Sequence, residues 1–160
     1  MNEAYRIAKP FFEERFDCPR TFDDDAAEVY LKYPSILDDD LYYPVTFSFF
    51  EDEDGQELSM HVKAGYISLP EFGIQQADEV PSMNKLAMVI VCNEFNATSR
   101  WVKLAYEEGE LMILHDDIVT EESVQEEIMW YMTELSSFCD IHYKPIRNMV
   151  KQFVELNSDM

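Results

Sequence analysis

The side chains best suited to chemistry lie in the last third of the sequence, as the run His115-Asp116-Asp117 and the pair Cys139 and His142. Imidazole, thiolate and carboxylate groups are the usual zinc ligands, and residues three apart on a helix share a face. Cys139 and His142 could therefore hold one ion between them. A structural zinc needs four ligands and a catalytic one three, and no second paired motif is present. A buried thiol and an interfacial histidine are the favoured interpretation.

Other patterns of catalysis and ion binding are also weak. In segment 51–55 an EF-hand with its glycine at Gly55 would need an oxygen ligand at position 50 and a bidentate acid at position 61. These positions hold Phe50 and His61, which supply neither. Gly-rich phosphate loops and nucleophile elbows are missing from a chain with four glycines. Paired acids such as Glu126 and Glu127 are adjacent, so on a helix they point apart. The sequence predicts no enzyme and no cofactor. The alternative is a metal-dependent enzyme that uses His115, Asp116, Asp117 and His142.

The charge balance restricts the partners. The chain has 33 Asp and Glu against 12 Lys and Arg, which gives a net charge of -21. Nucleic acids and anionic membranes are disfavoured because phosphate binding requires a basic patch. A mimic of nucleic acid would need two rows of acids on one face, whereas the acids here cluster in segments 23–25, 38–40 and 51–54. The expected partner is a protein or peptide of basic and apolar character.

Composition also indicates a compartment. The three cysteines, Cys18, Cys92 and Cys139, are odd in number and widely spaced, as is typical of reduced thiols. No apolar run follows the first residues, and no stretch approaches the length of a membrane span. These features predict a cytoplasmic protein.

Hydrophobic periodicity predicts the elements that position these residues. Alternating apolar residues indicate strands over 28–33, 44–50, 58–64, 101–106 and 110–115, with Gly55 and Gly109 in hairpin turns. Helices are expected over 3–16 and 83–95, from Thr120 to Phe138, and from Pro145 onward. The fold class is therefore α+β, a single antiparallel sheet of about five strands with helices on one face. The order is α-β-β-β-α-β-β-α plus a C-terminal helix, in one domain covering residues 1–160.

The stretch from Cys92 to Leu111, followed by the capped helix from Thr120, resembles the YbjN-type family of bacterial proteins. In that family a helix ends in an Asn-containing turn, a hairpin has an acidic-Gly turn, and a long amphipathic helix follows. The resemblance implies a fold like that of the type III secretion chaperones. It also implies a small acidic binding protein of chaperone or regulatory kind, often dimeric, and it carries over no catalytic residues.

The helix over 83–95 is apolar on all sides, so it is either enclosed within the chain or shared with a second copy. The second arrangement is favoured: Leu86, Ala87 and Ile90 would face the sheet, and a homodimer would form through the remaining side. The predicted interface consists of Met88, Val89, Cys92, Trp101 and Met112. A partner segment is expected at a sheet edge or an uncovered sheet face, with Thr46, Ser48, Phe50, Val102, Leu104 and Tyr106 as candidate contacts.

Overall fold

A computed structural model describes residues 2–35, 38–68, 82–98, 103–107 and 109–158, and it confirms the predicted α+β class. Three helices and six strands form these ranges. In chain order they are α1 (Glu3–Arg15), β1 (Arg20–Asp23), β2 (Glu28–Pro34), β3 (Tyr42–Glu51), β4 (Leu58–Ser68), α2 (Ser82–Thr98), β5 (Lys103–Glu107), β6 (Glu110–Val119) and α3 (Val124–Ser158).

The six strands form one sheet in the order β1-β2-β3-β4-β6-β5, and every neighbouring pair is antiparallel. Both predicted hairpins are present. Gly55 and Gly109 have φ angles of 66° and 85°, a left-handed conformation that glycine adopts without the steric penalty of a Cβ. Their positions at the turns fix the registers of β3 with β4 and of β5 with β6.

The helices begin where side chains satisfy their free N–H groups. Asn2 Oδ1 accepts a hydrogen bond from the N–H of Tyr5 at the start of α1. Before α3, Thr120 Oγ1 accepts from the N–H of Ser123, and Ser123 Oγ accepts from the N–H of Thr120. This reciprocal pair confirms Thr120 as the predicted start signal.

All three helices pack on one face of the sheet. Phe12 of α1 and Tyr131 of α3 both contact Phe47 of β3, with ring centroids 4.9 and 5.7 Å away. Helix α2 packs against β5 and α3, where Phe95 and Phe138 have centroids 4.7 Å apart. The apolar stripe predicted on α3 is buried throughout: Val124, Ile128, Tyr131, Met132, Leu135 and Phe138. No described helix lies on the opposite face.

Two elements differ from the sequence prediction. Segment 21–27 has the pattern of a solvated turn, but its first residues belong to β1, which makes the sheet six-stranded. The expected separate C-terminal helix is the second half of α3, which continues through Pro145. Ile146, Val150 and Val154 extend the buried stripe past the proline. Their packing stabilises the helix where the proline removes one hydrogen bond. No helix in the described ranges is both long and apolar enough to cross a membrane.

Candidate functional site

The candidate site lies around the end of strand β6, whose residues alternate between the two faces of the sheet. His115 and Asp117 lie opposite Val62 and Met60 of β4, on the side that the helices cover. Asp116 and Ile118 lie on the uncovered side, opposite His61 and Ser59 of β4. One short segment therefore supplies polar side chains to two separate surfaces.

On the helix side, the imidazole of His115 packs against the aromatic rings of α3. Its ring lies 5.5 Å from that of Tyr131 at 30°, and 5.4 Å from that of Trp130. Its Nε2 atom is buried and has no hydrogen-bond partner in the described part of the chain. Oδ2 of Asp117 lies 3.9 Å from this atom.

A carboxyl pair completes this side of the site. Partial burial, together with a hydrogen bond to Asp117, raises the pKa of Glu127 above its usual value. The charged form of Glu127 is therefore less favoured than that of an exposed glutamate. The two carboxyl groups, with His115, Asp116 and Trp130, line a cavity of about 350 Å³. We call it the β6–α3 cavity.

The uncovered side holds a shallow groove of about 680 Å³. Phe50 of β3 and Ile118 of β6 flank Ser59 of β4 in one row across three strands. Their side chains are 54% and 66% exposed, and the small serine forms the floor between them. In the next row, Nδ1 of His61 contacts the carboxylate of Asp116. We call this surface the open-face groove.

The structure does not bring together the four residues of the metal-enzyme alternative. His142 packs on Phe138 and Phe95, with centroids 4.8 and 5.9 Å away. It lies eleven residues beyond Tyr131, about 16 Å along α3. Cys139 is buried, and the loss of hydration raises its pKa, so its thiol stays protonated. Among the described residues, no group of three or more His, Cys, Asp or Glu could hold a metal ion.

The predicted interface on α2 requires a correction. Met88 and Cys92 are buried inside the chain, as is Met112 of β6, and Val89 is exposed. Trp101 lies outside the described residues. The exposed stripe consists of Leu86, Val89 and Ile90, of which Leu86 and Ile90 were expected to face the sheet.

The homodimer stays a prediction, and the exposed stripe supplies its sharpest test. Val89→Asp is expected to leave the fold intact while placing a charge on the stripe, so a dimer through α2 should dissociate. Light scattering at high concentration should give twice the chain mass of 18.8 kDa for the wild type and that mass for the variant. A wild-type mass of one chain at all concentrations would contradict the dimer. Met88→Asp is unsuitable because Met88 is buried and its variant would unfold.

Sequence reasoning missed Glu127 and Trp130, which are positioned by a contact between β6 and α3. Glu126 and Glu127 point apart on a helix, so the sequence favours two separate acids on a solvated surface. The available signal was the spacing of Glu127 and Trp130, three apart and beside the buried stripe that faces β6. Of the candidate contacts on the sheet, Phe50 is exposed, whereas Leu104 is buried on the helix side and Val102 lies outside the described residues.

Comparison with known proteins leaves the family open. No model of a known protein family matches the chain, and neither a curated protein nor a solved structure matches it.

Proposed function

We propose that this protein is a non-enzymatic, cytoplasmic protein-binding module of chaperone-like or regulatory kind. The observation that carries the proposal is the open-face groove, where two exposed apolar side chains lie beside carboxylates on a sheet face that no described helix covers. Exposed apolar surface rimmed by polar groups is typical of protein-interaction sites. The resemblance to the YbjN-type family points in the same direction.

The open-face groove and the charge of the chain have different roles in binding. A net charge of -21 attracts basic segments from a distance and raises the association rate. Exposed ion pairs contribute only about 0–1 kcal/mol each, so affinity must come from apolar contacts. Phe50 and Ile118 lie two strand spacings apart, about 10 Å, with Ser59 between them. One large apolar side chain of a partner fits between them.

The partner is therefore a protein segment that combines Lys or Arg with large apolar side chains. An array of short synthetic peptides, varied in basic and apolar positions, tests this composition directly. Peptides with both kinds of residue should bind the protein most strongly. Versions with the basic residues changed to Gln, or with the apolar residues changed to Ser, should bind weakly. The association rate constant should fall as salt rises.

Ile118→Ser tests the groove itself. Removing this side chain should raise the dissociation constant of the best array peptide about tenfold, because it deletes an apolar contact. Fluorescence anisotropy with the labelled peptide measures the dissociation constant. Ile141→Ser is the matched control, since Ile141 of α3 is 68% exposed but lies outside the groove. Equal losses in the two variants, or an array without basic and apolar preference, would refute the proposal.

A further inference from the structure

The β6–α3 cavity has the carboxyl groups of Asp116, Asp117 and Glu127 in its lining, and no lysine or arginine of the described residues lines it. Asp117 and Glu127 both line this cavity, whereas the ion pairs of Arg6, Lys9, Lys63 and Lys151 involve acids elsewhere in the chain. We infer that this cavity receives the guanidinium group of an arginine in the partner segment, an inference that rests on the proposed function. It specifies which basic residue the partner carries and where that residue binds.

The cavity offers acceptors that match a guanidinium. The carboxyl groups of Asp117 and Glu127 provide oxygen acceptors, and the five N–H groups of arginine suit bidentate contacts with carboxylates. His115 adds a further acceptor in the tautomer with its proton on Nδ1. Its side chain is only 12% exposed, and its buried Nε2 lacks a hydrogen-bond partner in the described ranges. A bound guanidinium would supply the missing N–H.

The aromatic wall of the cavity favours arginine over lysine. Trp130 lines the cavity beside the carboxyl groups, and a planar guanidinium stacks on an indole ring while it donates hydrogen bonds in its own plane. A lysine ammonium is a compact, strongly hydrated charge that cannot make this double contact. A metal ion is a poorer match, since the described His, Asp and Glu residues do not form a ligand group.

The cavity and the open-face groove can serve one partner. Both are lined by Asp116 and Asp117, on the two sides of strand β6. A single extended segment that passes this end of the strand can place an apolar side chain between Phe50 and Ile118 and its arginine in the cavity. The expected partner thus carries an arginine a few residues from a large apolar side chain.

The test uses the best arginine-containing peptide of the array and calorimetric dissociation constants. On the wild-type protein, changing the arginine to Gln should weaken binding by about tenfold, because charge-assisted hydrogen bonds are lost. A change to Lys should give a smaller loss. On Asp117→Asn and Glu127→Gln proteins, the Arg and Gln peptides should bind alike, since the guanidinium has lost its partner. Glu126→Gln is the control and should keep the wild-type preference.

The outcomes separate this inference from the proposed function. If Ile118→Ser weakens binding but the cavity variants keep the arginine preference, the groove binds the partner and the cavity does not. If Glu126→Gln lowers the preference as much as Glu127→Gln, the arginine senses only the general acidic field, and the inference is wrong. Equal binding of Arg and Lys peptides would also overturn it. If no peptide binds, both proposals fail.

Proton release gives a second readout. A guanidinium favours the ionised form of Glu127, so its binding in the acidic pH range should release a proton. Among the described residues, the other titratable groups at the cavity are His115, Asp116 and Asp117 of β6, with Glu126 beside them on α3. Calorimetry in buffers of different ionisation enthalpy, repeated at several acidic pH values, should show proton release for the wild type. Glu127→Gln should show less, and equal release would count against a cation beside this carboxyl.

Discussion

Replacing Phe47 by alanine is expected to lower the free energy of unfolding by about 3–5 kcal/mol, the usual cost of deleting a buried phenyl ring. Phe47 is fully buried where α1, β3 and α3 meet, and its ring contacts those of Phe12 and Tyr131. Those neighbours belong to two different helices and cannot both collapse into the space. Denaturant unfolding should show a large shift of the midpoint, and the melting temperature should fall by roughly 10 °C.

Phe50→Ala provides the matched control on the same strand. Phe50 lies three residues further along β3 and points to the uncovered face, so its loss should change the free energy of unfolding by only about 0.5 kcal/mol. The same variant should weaken peptide binding through the open-face groove. Equal destabilisation by the two substitutions would mean that the faces of β3 are reversed. A shift of one residue in register would have that effect.

The prediction for Phe47 follows from the sequence alone, because alternation over 44–50 already separates the two faces of β3. The stripe on α3 is equally well determined, since six apolar residues recur at helical spacing from Val124 onward. Strong local periodicity thus predicts element type and buried face. The two hairpins follow from Asp-Gly and Glu-Gly turns between alternating runs.

Features that depend on distant contacts were not predictable in this way. Strand β1 is four residues long and runs into consecutive acids, and its strand conformation depends on pairing with β2. Pro145 indicates a helix start by its local preference, yet Ile146 and Val150 continue the buried face of α3 across it. In both places, tertiary packing overrides the local signal.

Helix α2 shows the limit of sequence-based prediction for an element that is apolar on all sides. Leu86, Val89 and Ile90 form one helical stripe, and Ala87, Met88, Val91 and Cys92 form another. One turn later, the outer stripe is continued by Asn93 and Glu94, which are exposed, and the inner stripe by Phe95 and Asn96, which are half-buried. The charged Glu94 and the aromatic Phe95 distinguish the two faces, whereas the apolar centre of the helix does not. The β6–α3 cavity could not be predicted from the local sequence either, because Asp117 and Glu127 are ten residues apart and meet only in the fold.

Replacing Asn96 by alanine should have the second largest effect on stability. The Nδ2 of Asn96 donates to the carbonyl of Leu104, and Oδ1 accepts from the N–H of Leu104, both at 2.8 Å. Strand β5 is the last strand of the sheet, so this amide occupies the place of a further strand at its edge. Losing both hydrogen bonds should cost about 2 kcal/mol in the free energy of unfolding. Denaturant unfolding of the full chain measures it.

Two further variants show whether the paired amide is responsible. Asn96→Asp retains an acceptor for the N–H of Leu104 but has no N–H for its carbonyl, so the two oxygens repel each other at neutral pH. This variant should be destabilised at least as much as the alanine variant. Asn93→Ala, on the exposed side of the same helix, should change the free energy of unfolding by only about 0.5 kcal/mol. An Asp variant as stable as the wild type would show that the donated hydrogen bond does not hold β5 against α2.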